Sequence, residues 1–434
     1  MKLNEAVPEN SRDVFKLTRF IYWIQSGCEY MTTLLSGGVF LAKLTSGMGI
    51  SDGMTAVLTS ISTFATLAQF ASIYISKRQH PKHFIMPIML ISHLIFAAMF
   101  LLPLTGGTER VLIAVFFAML TVGRFAAYSI VPSKTTWYFG LVPPAKRGIY
   151  ASVNNIVSMS MGIAIPMIVS IIVDKFEATG NTRAVFITIS IAIFIFAILN
   201  LTALLISREK QKSTNESKRM STLKGFKTLV RIRDFRSYSL VIILLASAGS
   251  IALPFFYTYQ MNELGFSVTY CSIIETVANI SLITSVILFG KISTKSSFRK
   301  ILCIGYPLFA AAYLFAAFIM PSNGSFMYIV FIIVLRIGTG AANVAQTNHL
   351  LGIVDEELQT SAISITSAFS GISGFATTLI VSPFIDFVQK RGNQLFGFTV
   401  YAQQILSVAA CGVYLIAALS FILLTRKRSS KADI

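Results

Sequence analysis

The chain has 434 residues, 54% of them hydrophobic and only 12% charged, with a mean hydropathy of +0.71. Soluble domains carry about 25% charged residues, so this composition excludes an ordinary water-soluble enzyme or scaffold. A net charge of +18 would suit a nucleic-acid binder, but the charges are distributed in a way that excludes that reading too.

Twelve apolar segments follow one another, at about 17–44, 52–76, 83–104, 110–139, 149–174, 183–207, 237–262, 267–291, 299–320, 325–351, 360–387 and 397–425. A helix needs roughly 20 apolar residues to cross a hydrocarbon core, and runs of this length make helices, not barrel strands. The expected fold is an all-α polytopic membrane protein: twelve transmembrane helices in two pseudo-symmetric six-helix bundles. The polar start of the chain gives no cleavable signal core. Of the 36 Lys and Arg, 27 fall on one side of the twelve-span topology, six on the other, and Arg124, Lys134 and Arg336 within spans. Positive residues mark the cytoplasmic side, so both termini are expected there, in a bacterial plasma (inner) membrane.

The first span carries a polar stripe, with Tyr22, Gln25, Ser26, Glu29, Thr32 and Thr33 at helical spacing. Lipid cannot satisfy such a stripe, so it faces protein or a water-filled cavity. The third span contributes His93, read as a satisfied interior histidine. In the fourth, Arg124 and Tyr128 lie one turn apart, and Lys134 approaches the cytoplasmic end. The fifth has Asn154 and Asn155 near its start, then Gly162 and Pro166 where close approach or a kink is expected. Residues 208–236 form a basic linker between an N-terminal half, 1–207, and a C-terminal half, 237–434. Within it, Thr222 to Val230 reads either as a surface helix or as a solvated tether. Pro254 in the seventh span predicts a bent or broken helix beside Tyr257. Glu275 and Asn279 pair by spacing in the eighth span, and Arg336, Asn343 and Gln346 mark the tenth.

The chain repeats itself. Displaced by 212 residues and ungapped from Arg124 to Phe186, 15 of 63 positions are identical, including Arg124/Arg336, Gly162/Gly374 and Asp174/Asp386. Two similar halves follow, each with an arginine inside an apolar run. Cys28, Cys271, Cys303 and Cys411 lie far apart, with no metal-ligand spacing, and no phosphate-binding loop or catalytic motif is present. No cofactor, metal or catalytic residue is therefore expected, and the chain is not read as an enzyme.

These features together resemble the major facilitator superfamily, over nearly the whole chain. Arg124 resembles the fourth-helix arginine of that superfamily's drug-antiporter branch, with Arg336, Gly338, Gly340, Ala341 and Ala342 as its duplicate. Pro143 to Tyr150 is similar to the pattern that follows that helix. The resemblance implies that spans one, four, seven and ten line a central cavity. The loop at 76–82 lacks the acidic residue of the family signature, and the fifth-span glycine and proline run is reduced to Gly162 and Pro166. Those departures put a uniporter or symporter ahead of a drug exporter.

The resulting expectation is a secondary active transporter of a small polar organic solute, anionic ones included. It would work by alternating access, coupled to protons or sodium, as a monomer in the lipid bilayer and without nucleic acid. Candidate solute contacts are Gln25, Arg124, Tyr128, Tyr257, Asn279, Arg336 and Asn343, with Glu29 and Glu275 as coupling groups. The competing expectations are a proton-driven exporter of amphipathic compounds and a non-transporting membrane receptor or scaffold.

Overall fold

The computed structural model describes residues 15–71, 82–143, 146–208, 222–355, 358–395 and 397–432. The basic loop at 76–81, the linker at 209–221 and the acidic pair at 356–357 fall outside that set.

Helices follow in the order α1 (Lys16–Leu35), α2 (Gly38–Gly47), α3 (Asp52–Phe64), α4 (Lys82–Met99), α5 (Glu109–Gly140), α6 (Arg147–Ala178) and α7 (Thr182–Ile206). The second half continues with α8 (Thr222–Arg231), α9 (Arg233–Ala252), α10 (Val268–Ser293), α11 (Phe298–Ala316), α12 (Gly324–Leu351), α13 (Gln359–Lys390) and α14 (Ala402–Ala432). A two-stranded ribbon, β1 (Gln394–Leu395) with β2 (Phe398–Thr399), joins α13 to α14. Ten of these helical spans are long and apolar enough to cross a membrane. The pair α1–α2, and α3 with its 3₁₀ extension to Ala71, make the other two passes. Large apolar side chains such as Ile191, Leu288 and Ile380 stay exposed on the outer faces, as in a protein solvated by lipid.

Two passes are broken. The first was expected as one helix over 17–44; it stops at Leu35 and restarts at Gly38. Gly38 has φ +51°, a conformation that only glycine adopts without strain. The hydroxyls of Thr32 and Thr33 turn back on the carbonyls of Cys28 and Glu29 just before the break. The seventh pass breaks where Pro254 predicted. α9 ends at Ala252, a 3₁₀ turn spans Leu253–Phe255, one α-turn follows, and a π-turn at Tyr259–Glu263 ends the pass. The two breaks meet, because a Cβ on Gly38 would sit 3.4 Å from the Tyr257 ring. Pro166, by contrast, sits inside an unbroken α6. In the linker, residues 222–231 are helical; Leu229 is buried and the Phe226 ring meets Phe369 of α13.

The buried core falls into a second-half cluster from Leu229 to Phe421 that takes in Ala56, a first-half cluster from Cys28 to Phe196 that borrows Val268 and Cys271 from α10, and a smaller first-half cluster around Tyr22, Met89, Trp137 and Leu204. The halves meet along α3 with α13 and α6 with α10. Hydrogen bonds across this seam gather at the ends of the odd-numbered passes, opposite the termini. Asp174 of α6 accepts the amides of Val268 (3.1 Å) and Thr269 (2.8 Å) at the start of α10. Its repeat partner Asp386 of α13 accepts the amide of Gly53 (3.2 Å) and the hydroxyl of Ser51 (3.1 Å) at the start of α3. Each half thus offers a carboxylate to a helix N-terminus of the other, where unpaired amides and the helix dipole favour negative charge. Asp52 accepts from Asn262 and Gln389, and Glu263 from Gln389 and Asn393, which completes the seal.

Asp174→Asn keeps the shape of this contact and removes its charge. With hydrogen bonds to charged groups contributing about 1.5–3 kcal/mol, the closed end should open more often. Cys271, buried at that seam, is its own probe. In a chain with Cys28, Cys303 and Cys411 replaced by alanine, Asp174→Asn should raise the alkylation rate of Cys271 several-fold. An unchanged rate would show that Asp174 does not hold the seam.

Candidate functional site: a polar cavity and two intramembrane ion pairs

α1 and α6 cross closely. A Cβ on Gly162 would come within 2.6 Å of the Tyr30 ring, and one on Gly27 would push the Met161 side chain aside, so the two glycines allow the close approach. Beside this crossing lies a cavity of about 310 Å³, with Ser26, Glu29, Tyr30 and Thr33 on one wall and Asn154, Asn155 and Ser158 on the other. Half of the first span's polar stripe, Ser26, Glu29 and Thr33, thus lines the cavity, whereas Tyr22, Gln25 and Thr32 are buried. Asn154 keeps a buried Oδ1 with no hydrogen-bond donor.

Glu29 forms an ion pair with Lys134 of α5. The ammonium also lies 5.5 Å from the Tyr22 ring, which stacks on Tyr138 at 3.5 Å between centroids. Lys134 is the more enclosed partner, at 6% side-chain exposure against 20% for Glu29. The partner of Glu29 is thus Lys134 and not Arg124, which bonds the Ser36 carbonyl. A 32-residue helix extends for about 48 Å, longer than the hydrocarbon core, and from sequence that placed Lys134 near the membrane surface.

In the second half, Arg336 Nη2 donates to Glu275 Oε2 at 3.4 Å, with both side chains over a quarter exposed. This is a single long contact, not the bidentate 2.7–2.9 Å arrangement of a locked pair. The buried Nε of Arg336 has no acceptor. Tyr257 and Tyr30 both lie within electrostatic reach of Glu275 and Arg336, so the second-half pair approaches the wall of the first-half cavity.

Arg124 occupies the repeat position of Arg336 but is engaged differently. It is 4% exposed, donates from Nη2 to the Ser36 carbonyl at 2.7 Å, and lies 4.7 Å from the Phe96 ring centroid. It thus satisfies a carbonyl freed by the break in the first pass. Among the other expected contacts, Gln25 is buried, with Nε2 3.9 Å from the Met89 sulfur. Asn279 is buried, Tyr128 half-buried and Asn343 exposed. Lys134, Tyr30 and Asn154 belong to the site without having been singled out as contacts. Helical spacing from Glu29 and the polar start of the fifth span were the available signals. His93 is an interior residue, with Nδ1 2.8 Å from the Met89 carbonyl and Nε2 3.2 Å from Asn200.

Breaking a buried pair by removing one partner costs about 3–5 kcal/mol, less where the survivor reaches water. Lys134→Met should therefore lower the thermal midpoint, and adding Glu29→Gln should recover much of the loss, because no unpaired charge remains. Additive losses would show that the two residues do not interact. Arg124→Gln should also destabilise, by about 1–3 kcal/mol for the orphaned Ser36 carbonyl. A variant as stable as the parent would remove Arg124 from that role.

The family model of the Major Facilitator Superfamily matches residues 141–378, more than half of the chain. No curated protein matches by sequence. Among solved structures, the nucleoside transporter NupG is similar with a TM-score of 0.69 at 13% identity, over 94% of this chain and 99% of that one. A D-xylose-proton symporter gives 0.69 at 12% identity, over 93% and 97%. A bacterial homolog to the human lysosomal transporter Spinster gives 0.65 at 15% identity, over 95% and 96%. At these identities the likeness extends to the fold, and together with the match of the family model it places the chain in the Major Facilitator Superfamily of membrane transporters.

Proposed function

We propose that the chain is a secondary active transporter that moves a small polar organic solute across a membrane by alternating access, driven by a proton or sodium gradient. The observation that carries this reading is the polar cavity with Glu29 at its wall, inside spans that are otherwise apolar. A charge at mid-membrane costs roughly 2.5–3.5 kcal/mol even on the mildest scale, and two ion pairs are maintained there. In this reading Glu29, Tyr30, Asn154, Tyr257, Glu275 and Arg336 face the solute. Glu29 is the coupling group, releasing Lys134 when it takes up a proton. Arg124 holds the broken first pass and does not contact the solute.

The excess of Lys and Arg on one side supports cytoplasmic termini, and in this reading the membrane is the plasma (inner) membrane. The seam of Asp174 and Asp386 then lies outside, and the molecule rests with that side shut. The serine, threonine and asparagine walls favour a polar solute over an amphipathic drug, and retained intramembrane charge favours a working transporter over a silent receptor.

Proteoliposomes test this directly. Radiolabelled candidate solutes should exchange in counterflow, and an imposed gradient should drive accumulation. Glu29→Gln should lose gradient-driven accumulation by at least about tenfold while keeping counterflow. Accumulation equally strong in Glu29→Gln would remove Glu29 as the coupling group. A wild-type protein indifferent to both gradients would be a uniporter.

A further inference from the structure

The geometry points to a dipolar solute, one molecule carrying both a cationic and an anionic group, with the cation at Glu29 and Asn154 and the anion at Arg336. This inference rests on the transport reading and specifies its substrate class.

The argument is one of charge order. Each half supplies one of the two ion pairs described above, and each pair leaves hydrogen-bonding capacity unused. In the first half the enclosed partner is the cation, Lys134, and the partner open to the cavity is the carboxylate of Glu29. A carboxylate has about four acceptor sites, so it can hold Lys134 and still accept from a second cation. Beside it, the buried Oδ1 of Asn154 lacks a donor, and an ammonium or guanidinium group supplies one. The second half has the opposite need. Arg336 gives Glu275 one long hydrogen bond and keeps a buried Nε with no acceptor. A guanidinium has five donors in a planar fork, which suits a carboxylate or phosphonate arriving from one side. Tyr30 lines the cavity, and both it and Tyr257, whose ring packs against Gly38 just beyond the end of α1, lie within electrostatic reach of Glu275 and Arg336; the second-half pair thus lies towards the α1 wall without lining the cavity itself.

A dipolar solute placed between them completes an alternating series: Lys134, Glu29, solute cation, solute anion, Arg336, Glu275. Each solute charge then lies between opposite charges, and no net charge is added to the low-dielectric interior. A solute that is only anionic meets Arg336 but faces Glu29. One that is only cationic meets Glu29 but faces Arg336. A neutral sugar leaves both charged edges without a charged partner. The cavity, about 310 Å³, is at the lower end of the roughly 300–1,000 Å³ of small-molecule sites, which suits an amino acid, a betaine or a short peptide.

The test is isothermal titration of the full chain in lipid nanodiscs. The probes are alanine, 4-aminobutyrate, 6-aminohexanoate and dialanine, each beside the amine and the carboxylate of the same skeleton, with ribose as the neutral control. At least one dipolar probe should bind at least about tenfold more tightly than either singly charged counterpart and than ribose. Glu29→Gln should reduce its affinity to that of the carboxylate counterpart, and Arg336→Gln to that of the amine. The wild-type ratios decide alone if a variant fails to fold. A singly charged or neutral probe that equals or exceeds every dipolar one overturns the inference, as does a ratio unchanged in both variants. Counterflow of the same probes into proteoliposomes separates the two levels. Exchange of ribose or of a singly charged probe alone leaves the transport reading standing and removes the dipolar substrate, whereas exchange of no probe removes both.

Discussion

The constraint on which the rest of this structure depends is that no charge or backbone carbonyl inside the hydrocarbon region can be left to solvent. The chain meets it three times, with three chemistries. Lys134 is neutralised by Glu29, Arg336 is half-neutralised by Glu275, and Arg124 is spent on the carbonyl of Ser36. The third solution is structural in a strict sense. A helix interrupted in lipid exposes carbonyls that water cannot reach, and a guanidinium is the side chain best able to reach one across a helix–helix gap. The interruption of the first pass and the arginine of the fourth are therefore one feature, in which each explains the other.

The internal repeat shows what duplication retains and what it releases. Asp174 and Asp386 keep the same task, each accepting amides at a helix N-terminus of the opposite half. The next repeat pair along, Ser170 and Ser382, lies on the same seam: Ser170 bonds Ser272, and Ser382 lies against Gly53. The identical residues thus mark the surface where the halves meet, which twofold geometry uses twice. Arg124 and Arg336 show the reverse. They hold equivalent positions, yet Arg124 bonds the backbone carbonyl of Ser36 and Arg336 the side chain of Glu275, and each keeps a buried Nε without an acceptor.

That difference also sets the limit of what the sequence made legible. Hydropathy and length gave twelve passes and their class, because the bilayer imposes one physical rule on every segment. Pro254 announced the break in the seventh pass, but proline alone does not make one, since Pro132 and Pro166 sit inside continuous helices. Gly37 and Gly38 did not announce the break in the first, because glycine permits a turn without requiring one. The polar face of the first span was legible as a stripe. Its partner was not, since the pairing of Glu29 with Lys134 depends on the tilt and depth of a helix longer than the membrane is thick. The burial of Gln25 and Asn279 was illegible for a related reason: periodicity locates a polar face but does not say whether a cavity or another helix covers it.

The two broken passes tie the cavity to the seal. Tyr257 packs on Gly38 at the junction of the breaks, while its hydroxyl lies within the field of Glu275 and Arg336. The α2 segment beyond Gly38 leads directly to Asp52, which accepts from Asn262 and Gln389 at the closed end. Short elements such as α2 and the turns at 253–263 move as units because neighbouring breaks free their ends, whereas α6 or α12 would have to bend along a continuous hydrogen-bonded rod. Under the proposed function, a solute that draws Arg336 towards the first half would change the charge beside Tyr257, whose ring packs against Gly38 at the head of the segment leading to Asp52. The seal and the cavity would then be two ends of one mechanical path, built from the positions at which the helices are not continuous.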